Sequence, residues 1–93
     1  MQIQHQQHET KGKFFTEEKG KEIAFMTYTF AGETKIIIDH TVVHEGNEGN
    51  GLSKQLMNAA VAFAREKHIK ILPLCLFAKA VFDKTPEFGV VLF

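Results

Sequence analysis

Gly46-Asn47-Glu48-Gly49-Asn50-Gly51-Leu52-Ser53 is the stretch whose reading decides the fold. It separates a strand-like run, Thr34 to Val43, from a helix-like run that begins near Leu52. A glycine-rich turn from a strand into a helix leaves several backbone N–H groups unpaired. The helix dipole adds positive potential at the same place. The turn therefore suits an anion, and a phosphate-bearing ligand is expected there.

Upstream of the turn the pattern is strand-like. Ile3 to His8 reads as a polar strand and Lys13-Phe14-Phe15-Thr16 as a second, closed by a turn at Glu18-Lys19-Gly20. Glu22 to Phe30 is rich in aromatic and β-branched residues, and Ala31-Gly32-Glu33 reads as a hairpin turn into Thr34 to Val43. Downstream the period changes. Leu52, Leu56, Ala59, Ala60, Phe63 and Ala64 recur at helical spacing, which predicts a helix ending near His68. Ile69 to Cys75 reads as a strand in which Pro73 marks an ending or one-sided ladder, since proline donates no hydrogen bond. Leu76 to Lys84 predicts a second, short helix, and the tail Val90-Val91-Leu92-Phe93 predicts a last strand. A strand, a glycine turn, a helix and a strand form a right-handed βαβ unit, so the last strand of that unit should lie parallel to the first. The expected class is α+β: an antiparallel strand meander, then a β-loop-α-β unit, then a short C-terminal helix.

Ninety-three residues make a single domain, 1–93. A chain of this size buries roughly 60–65% of its unfolded surface, enough for one modest core. Formal net charge is zero, so no basic excess drives binding to nucleic acid or anionic lipid. No apolar run approaches the ~20 residues of a membrane span. Met1-Gln2-Ile3-Gln4-His5 does not read as a signal peptide, and the lone cysteine, Cys75, has no internal disulfide partner. A cytoplasmic protein, monomeric or weakly dimeric, is the resulting expectation.

Two nucleotide motifs fail on inspection. Gly46-x-x-x-x-Gly51-Leu52-Ser53 has the P-loop spacing, but Leu52 stands where the phosphate-gripping lysine belongs. A dinucleotide fingerprint lacks its acidic residue on a following strand. A third frame fits better. Glu48-Gly49-Asn50-Gly51-Leu52-Ser53 occupies the [Gln/Arg]-x-x-Gly-x-[Gly/Ala] frame of the pyrophosphate loop of the GNAT acetyltransferases, with Gly51 matching and Glu48 and Ser53 departing. Ile38-Asp39-His40-Thr41-Val42-Val43, Ala62-Phe63-Ala64-Arg65-Glu66-Lys67 and Ile71-Leu72-Pro73-Leu74-Cys75-Leu76-Phe77 extend the likeness. Together they resemble the small, single-domain YjdJ-type group of GNAT-like proteins.

The resemblance implies an acetyl-CoA-dependent N-acetyltransferase acting on an unidentified amine acceptor. Its pantetheine arm would pair with the backbone of Thr41, Val42 and Val43. The pyrophosphate would rest on Glu48, Gly49, Asn50, Gly51, Leu52 and Ser53, with Lys54 adding a cation. Cys75 and His40 would face the thioester as nucleophile and base. Residue chemistry leaves two readings open for each: Cys75 as a small core residue or a nucleophile, and His40 as a hydrogen-bonded core histidine or a base. In a regular strand Asp39 would face away from His40. The alternatives to catalysis are an acyl-CoA-binding or sensing module and a protein-interaction domain.

Overall fold

The first half of the chain forms four antiparallel strands, a polar β1 (Gln4–His8) and then β2 (Lys11–Glu18), β3 (Lys21–Phe30) and β4 (Lys35–Val43), which carry the β-branched and aromatic side chains. The computed structural model describes residues 2–46 and 51–93. Tight turns join the strands. Lys19 (φ 54) and Gly20 (φ 79) both have positive φ, as a two-residue type I′ hairpin requires. Helix α1 (Leu52–Lys67) follows, then β5 (Lys70–Pro73) and α2 (Leu76–Lys84). The sheet order is β1-β2-β3-β4-β5, and β5 runs parallel to β4, as the βαβ reading expects.

The tail differs from expectation. Pro86–Val91 forms a 3-10 helix, and only Leu92 bridges Ile71. Pro86 lies at the start of that helix, where its missing N–H costs nothing and its fixed φ suits a helical turn.

One core lies on the helix-bearing face of the sheet. Met26, Tyr28, Ile36, Ile38 and Ile71 from the strands meet Leu56, Met57, Ala60, Val61 and Ala64 of α1, with Ala78, Phe82 and Phe88 completing it. The helical period placed Leu52, Leu56, Ala60 and Ala64 correctly; Met57 and Val61 are also buried, which widens the stripe. His68 ends α1 in the left-handed conformation (φ 57), and its N–H bonds back to the last turn.

β4 contains an extra residue. Thr27 pairs with His40 and the next residue, Tyr28, pairs with Ile38, so Asp39 has no partner on β3. The bulge reverses the alternation. Ile36 and Ile38 face the core before it; Val43 packs against the core after it, while His40 and Val42 are exposed.

The edge strand β1 is polar and exposed along its length, but the His5 ring docks on its neighbours. Its ring stacks on Phe14 (centroids 4.3 Å apart) and meets Phe63 of α1 edge-on at 4.8 Å. His5 Nε2 and the Tyr28 hydroxyl share a hydrogen bond. Burial pushes the Tyr28 phenol up to about 12 and pushes the His5 imidazole below its ordinary 6.5. A histidine with a lowered folded pKa takes its proton more readily when unfolded. Its contribution to stability is therefore present above pH 6.5 and lost as pH falls below that value. Urea midpoints measured between about pH 7 and pH 5 should fall for the native chain. The decrease should be shallower in His5→Phe, which keeps the ring stack but removes the titration; equal slopes would overturn the assignment.

Candidate active site

The parallel ladder is short. It begins at Lys35↔Lys70 and ends at Ile38↔Pro73, while β4 continues to Val43. Pro73 donates nothing further. The chain then turns away: Cys75 N–H donates to the Ile38 carbonyl (3.3 Å), and Cys75 becomes the N-cap of α2. Beyond Ile38, β4 is paired among the described residues only with β3, through His40↔Thr27, Thr41↔Met26, Val42↔Phe25 and Val43↔Ala24. The two parallel strands thus part at their C-terminal ends, and the β4 backbone lines the opening.

A hollow of about 410 Å³ sits at this parting, lined by Phe25, Asp39, His40, Thr41, Val42, Cys75, Leu76 and Phe77. Cys75 is half-buried and packs against the edge of the core. Its Sγ donates to Thr41 Oγ1 at 3.6 Å, a weak sulfur hydrogen bond across the gap. His40 is exposed on the same hollow. Asp39 does not face away from it. The bulge brings both side chains to this hollow, where Asp39 Oδ2 accepts the Thr29 hydroxyl at 2.8 Å. Val42 (37% exposed) and Leu76 (85% exposed) give the mouth an apolar rim.

The helix start expected to receive an anion is the second candidate region. Gly51 is the N-cap in the left-handed conformation (φ 72), which glycine adopts without a Cβ penalty. Among the described residues no side chain caps α1, and its first turn carries no acidic residue. The first intrahelical bond runs from Gln55 N–H to the Gly51 carbonyl (3.1 Å), so the N–H groups of Leu52, Ser53 and Lys54 precede the helical ladder. Leu52 is buried as an anchor, Ser53 is half-buried and Lys54 is exposed. Glu48, Gly49 and Asn50 of the expected loop lie outside the described residues.

The structure therefore gathers His40, Thr41, Val42 and Cys75 around one hollow and sets Gly51 to Lys54 at a helix start. Sequence reasoning missed Phe25, Leu76 and the orientation of Asp39. An aspartate inside a β-branched run is an unusual strand residue, and that was the available signal for a break in alternation.

A family model described as GCN5-related N-acetyl-transferase matches residues 13–91. A protein of Staphylococcus aureus, provisionally assigned as a GCN5-like N-acetyltransferase and solved by NMR, is 34% identical with a TM-score of 0.75. The match covers 97% of this chain and 87% of that one. A ribosomal-protein-alanine N-acetyltransferase of Brucella melitensis biovar Abortus (16% identity, TM-score 0.70) matches over 83% of this chain and 62% of its own. A provisionally assigned acetyltransferase of Clostridium acetobutylicum, solved with acetyl-CoA, is 22% identical (TM-score 0.67), with coverage of 81% and 56%. The chain thus spans less than two thirds of the latter two proteins, and their likeness bears on the fold. No curated protein matches it. Among the described residues, no helix is long and apolar enough to cross a membrane.

Proposed function

The chain belongs to the GCN5-related N-acetyltransferase family, and from that premise we propose that it is a single acetyl-CoA-binding domain that moves an acetyl group from acetyl-CoA to an amine. The observation that carries this reading is the parting of β4 from β5 after Ile38↔Pro73. An extended pantetheine arm fits that gap by pairing with the backbone of Thr41, Val42 and Val43 as an added strand would. The pyrophosphate is assigned to the loop from Glu48 to Ser53 and the start of α1, with Lys54 as a nearby cation.

His40 and Cys75 are the proposed chemical groups. His40 takes the thiol proton, and Sγ attacks the thioester carbonyl. The acetyl C–S bond to CoA breaks as the bond to Cys75 forms, and the CoA thiolate leaves with the proton from His40. A neutral amine then attacks the acetyl-cysteine. The C–N bond forms, Cys75 departs as thiolate and His40 accepts the amine proton. Direct amine attack on the thioester is the simpler route on the same geometry, with His40 as base. A module that holds acyl-CoA without turnover is the second reading, favoured by Glu48, whose carboxylate stands where the family frame has Gln or Arg.

Backbone amide NMR during titration with CoA and acetyl-CoA tests the binding step. Amides of Thr41, Val42, Val43, Ser53 and Lys54 should shift and saturate. No movement at millimolar ligand would remove both CoA readings. Glu48→Gln should tighten CoA several-fold to about tenfold, because a carboxylate ~4–6 Å from a phosphate at a solvated surface costs about 1 kcal/mol. Unchanged affinity would mean that Glu48 does not adjoin the pyrophosphate.

A further inference from the structure

The charge inventory of the hollow says something about the acceptor. Asp39 is the one carboxylate among the described lining residues, and no lysine or arginine lines the hollow with it. Its carboxylate is fixed rather than free to swing, because Thr29 Oγ1 donates to Oδ2 at 2.8 Å. Among the described residues Oδ1 takes no hydrogen bond from the protein, so it is available to a donor. Asp39 is half-buried, and its open oxygen beside a mostly apolar wall can take a charge-assisted N–H···O bond from a cationic ligand, the strongest contact open to it. The rest of the wall is largely apolar: Phe25, Leu76 and Phe77 join it around His40. Nothing in that wall carries a fixed positive charge to receive a carboxylate or phosphate, so an acidic substrate would leave its own anion unpaired beside Asp39.

We propose that Asp39 holds the ammonium of the acceptor, and that the acceptor is a primary amine on an apolar, non-anionic body. This rests on the acetyl-transfer reading of the same hollow. The aromatic rings offer the apolar body a face to pack on, and Oδ1 holds the ammonium beside His40, which faces solvent and passes the ammonium's first proton to water before it accepts the second as the C–N bond forms. Because the bulge turns Asp39 toward His40, amine capture and proton removal sit on adjacent residues of one strand.

Phenethylamine, an ammonium at neutral pH, is the probe, with phenethyl alcohol and phenylacetate as controls of matched shape. Each is titrated without CoA onto the native chain and onto Asp39→Asn, which keeps an oxygen for the Thr29 hydroxyl, while backbone amide shifts are followed. The amine should move the amides of Asp39, His40 and Leu76 saturably, and the alcohol and the acid should bind at least about tenfold more weakly, the loss expected for a charge-assisted contact. Asp39→Asn should weaken the amine by a similar factor while the rest of its spectrum stays native. Equal binding of the three probes, no binding of the amine, or an unaffected amine in Asp39→Asn overturns the proposal. If the variant does not fold, the comparison of probes on the native chain still decides. CoA titrated onto the native chain reports at Thr41 to Val43 and Ser53 to Lys54, so failure of CoA binding and failure of amine binding are seen separately.

Discussion

Gly12→Ala is expected to destabilise the fold by about 3 kcal/mol, the upper part of the ordinary overpacking range. Gly12 of β2 lies opposite Tyr28 of β3. A Cβ built there falls 2.1 Å from Tyr28 Cζ and 2.2 Å from its hydroxyl oxygen. The ring cannot simply swing aside. It is 1% exposed and sits among Phe14 (5.5 Å between centroids), Phe63 (5.8 Å) and Phe30 (5.9 Å), while its hydroxyl binds His5. Either Tyr28 leaves its rotamer and drags the aromatic cluster, or β2 moves away from β3. A loss of that size is a large share of a small domain's stability and should lower Tm by on the order of 15 °C. Thermal and urea unfolding check it, and a loss under about 1 kcal/mol would mean that the ring has room to move.

Cys75→Ala should leave the fold and CoA affinity nearly intact and lower acetyl transfer on the order of 10²- to 10⁴-fold, the range that one positioned chemical group supplies. The thiol is half-buried and small, and its hydrogen bond to Thr41 is weak. The structural cost of its removal is therefore slight, and the chemical cost is isolated. Intact-mass measurement after incubation with acetyl-CoA should show an acetyl adduct on the native chain and none on the variant. Cys75→Ser adds a control, because a hydroxyl can keep the bond to Thr41 but is not deprotonated near neutral pH. Full turnover in Cys75→Ala would assign the reaction to direct amine attack, with His40 left as the base.

The features that were legible in the sequence are those encoded locally. The glycine turn before Leu52, the spacing of Leu52, Leu56, Ala60 and Ala64, and the stop at Pro73 each express a backbone rule within a few residues. They were enough to give the βαβ unit and the direction of β5. The bulge itself was not legible, because it exists only in the register of β4 against β3, and Asp39 within the run Ile36 to Val43 was its single local sign. The docking of His5 was hidden for a similar reason. A histidine in a polar strand gains its meaning from Phe14, Tyr28 and Phe63, which arrive from three other elements. The last four residues are apolar enough for a strand, but Pro86 and the 3-10 helix after it leave only Leu92 in position to bridge.

The unpaired residue in β4 works as a phase shifter. With strict alternation, Ile38 and His40 share a parity, so a strand that buries one must bury the other. One inserted residue separates these fates: Ile38 stays in the core and His40 comes out to line the hollow. The same strand is thereby a core member in its first half and the wall of the hollow in its second. Sliding the insertion toward the C-terminal end by a residue or two would change which side chains line the hollow while the buried isoleucines stay in place, so the hollow can be relined without first rebuilding the core.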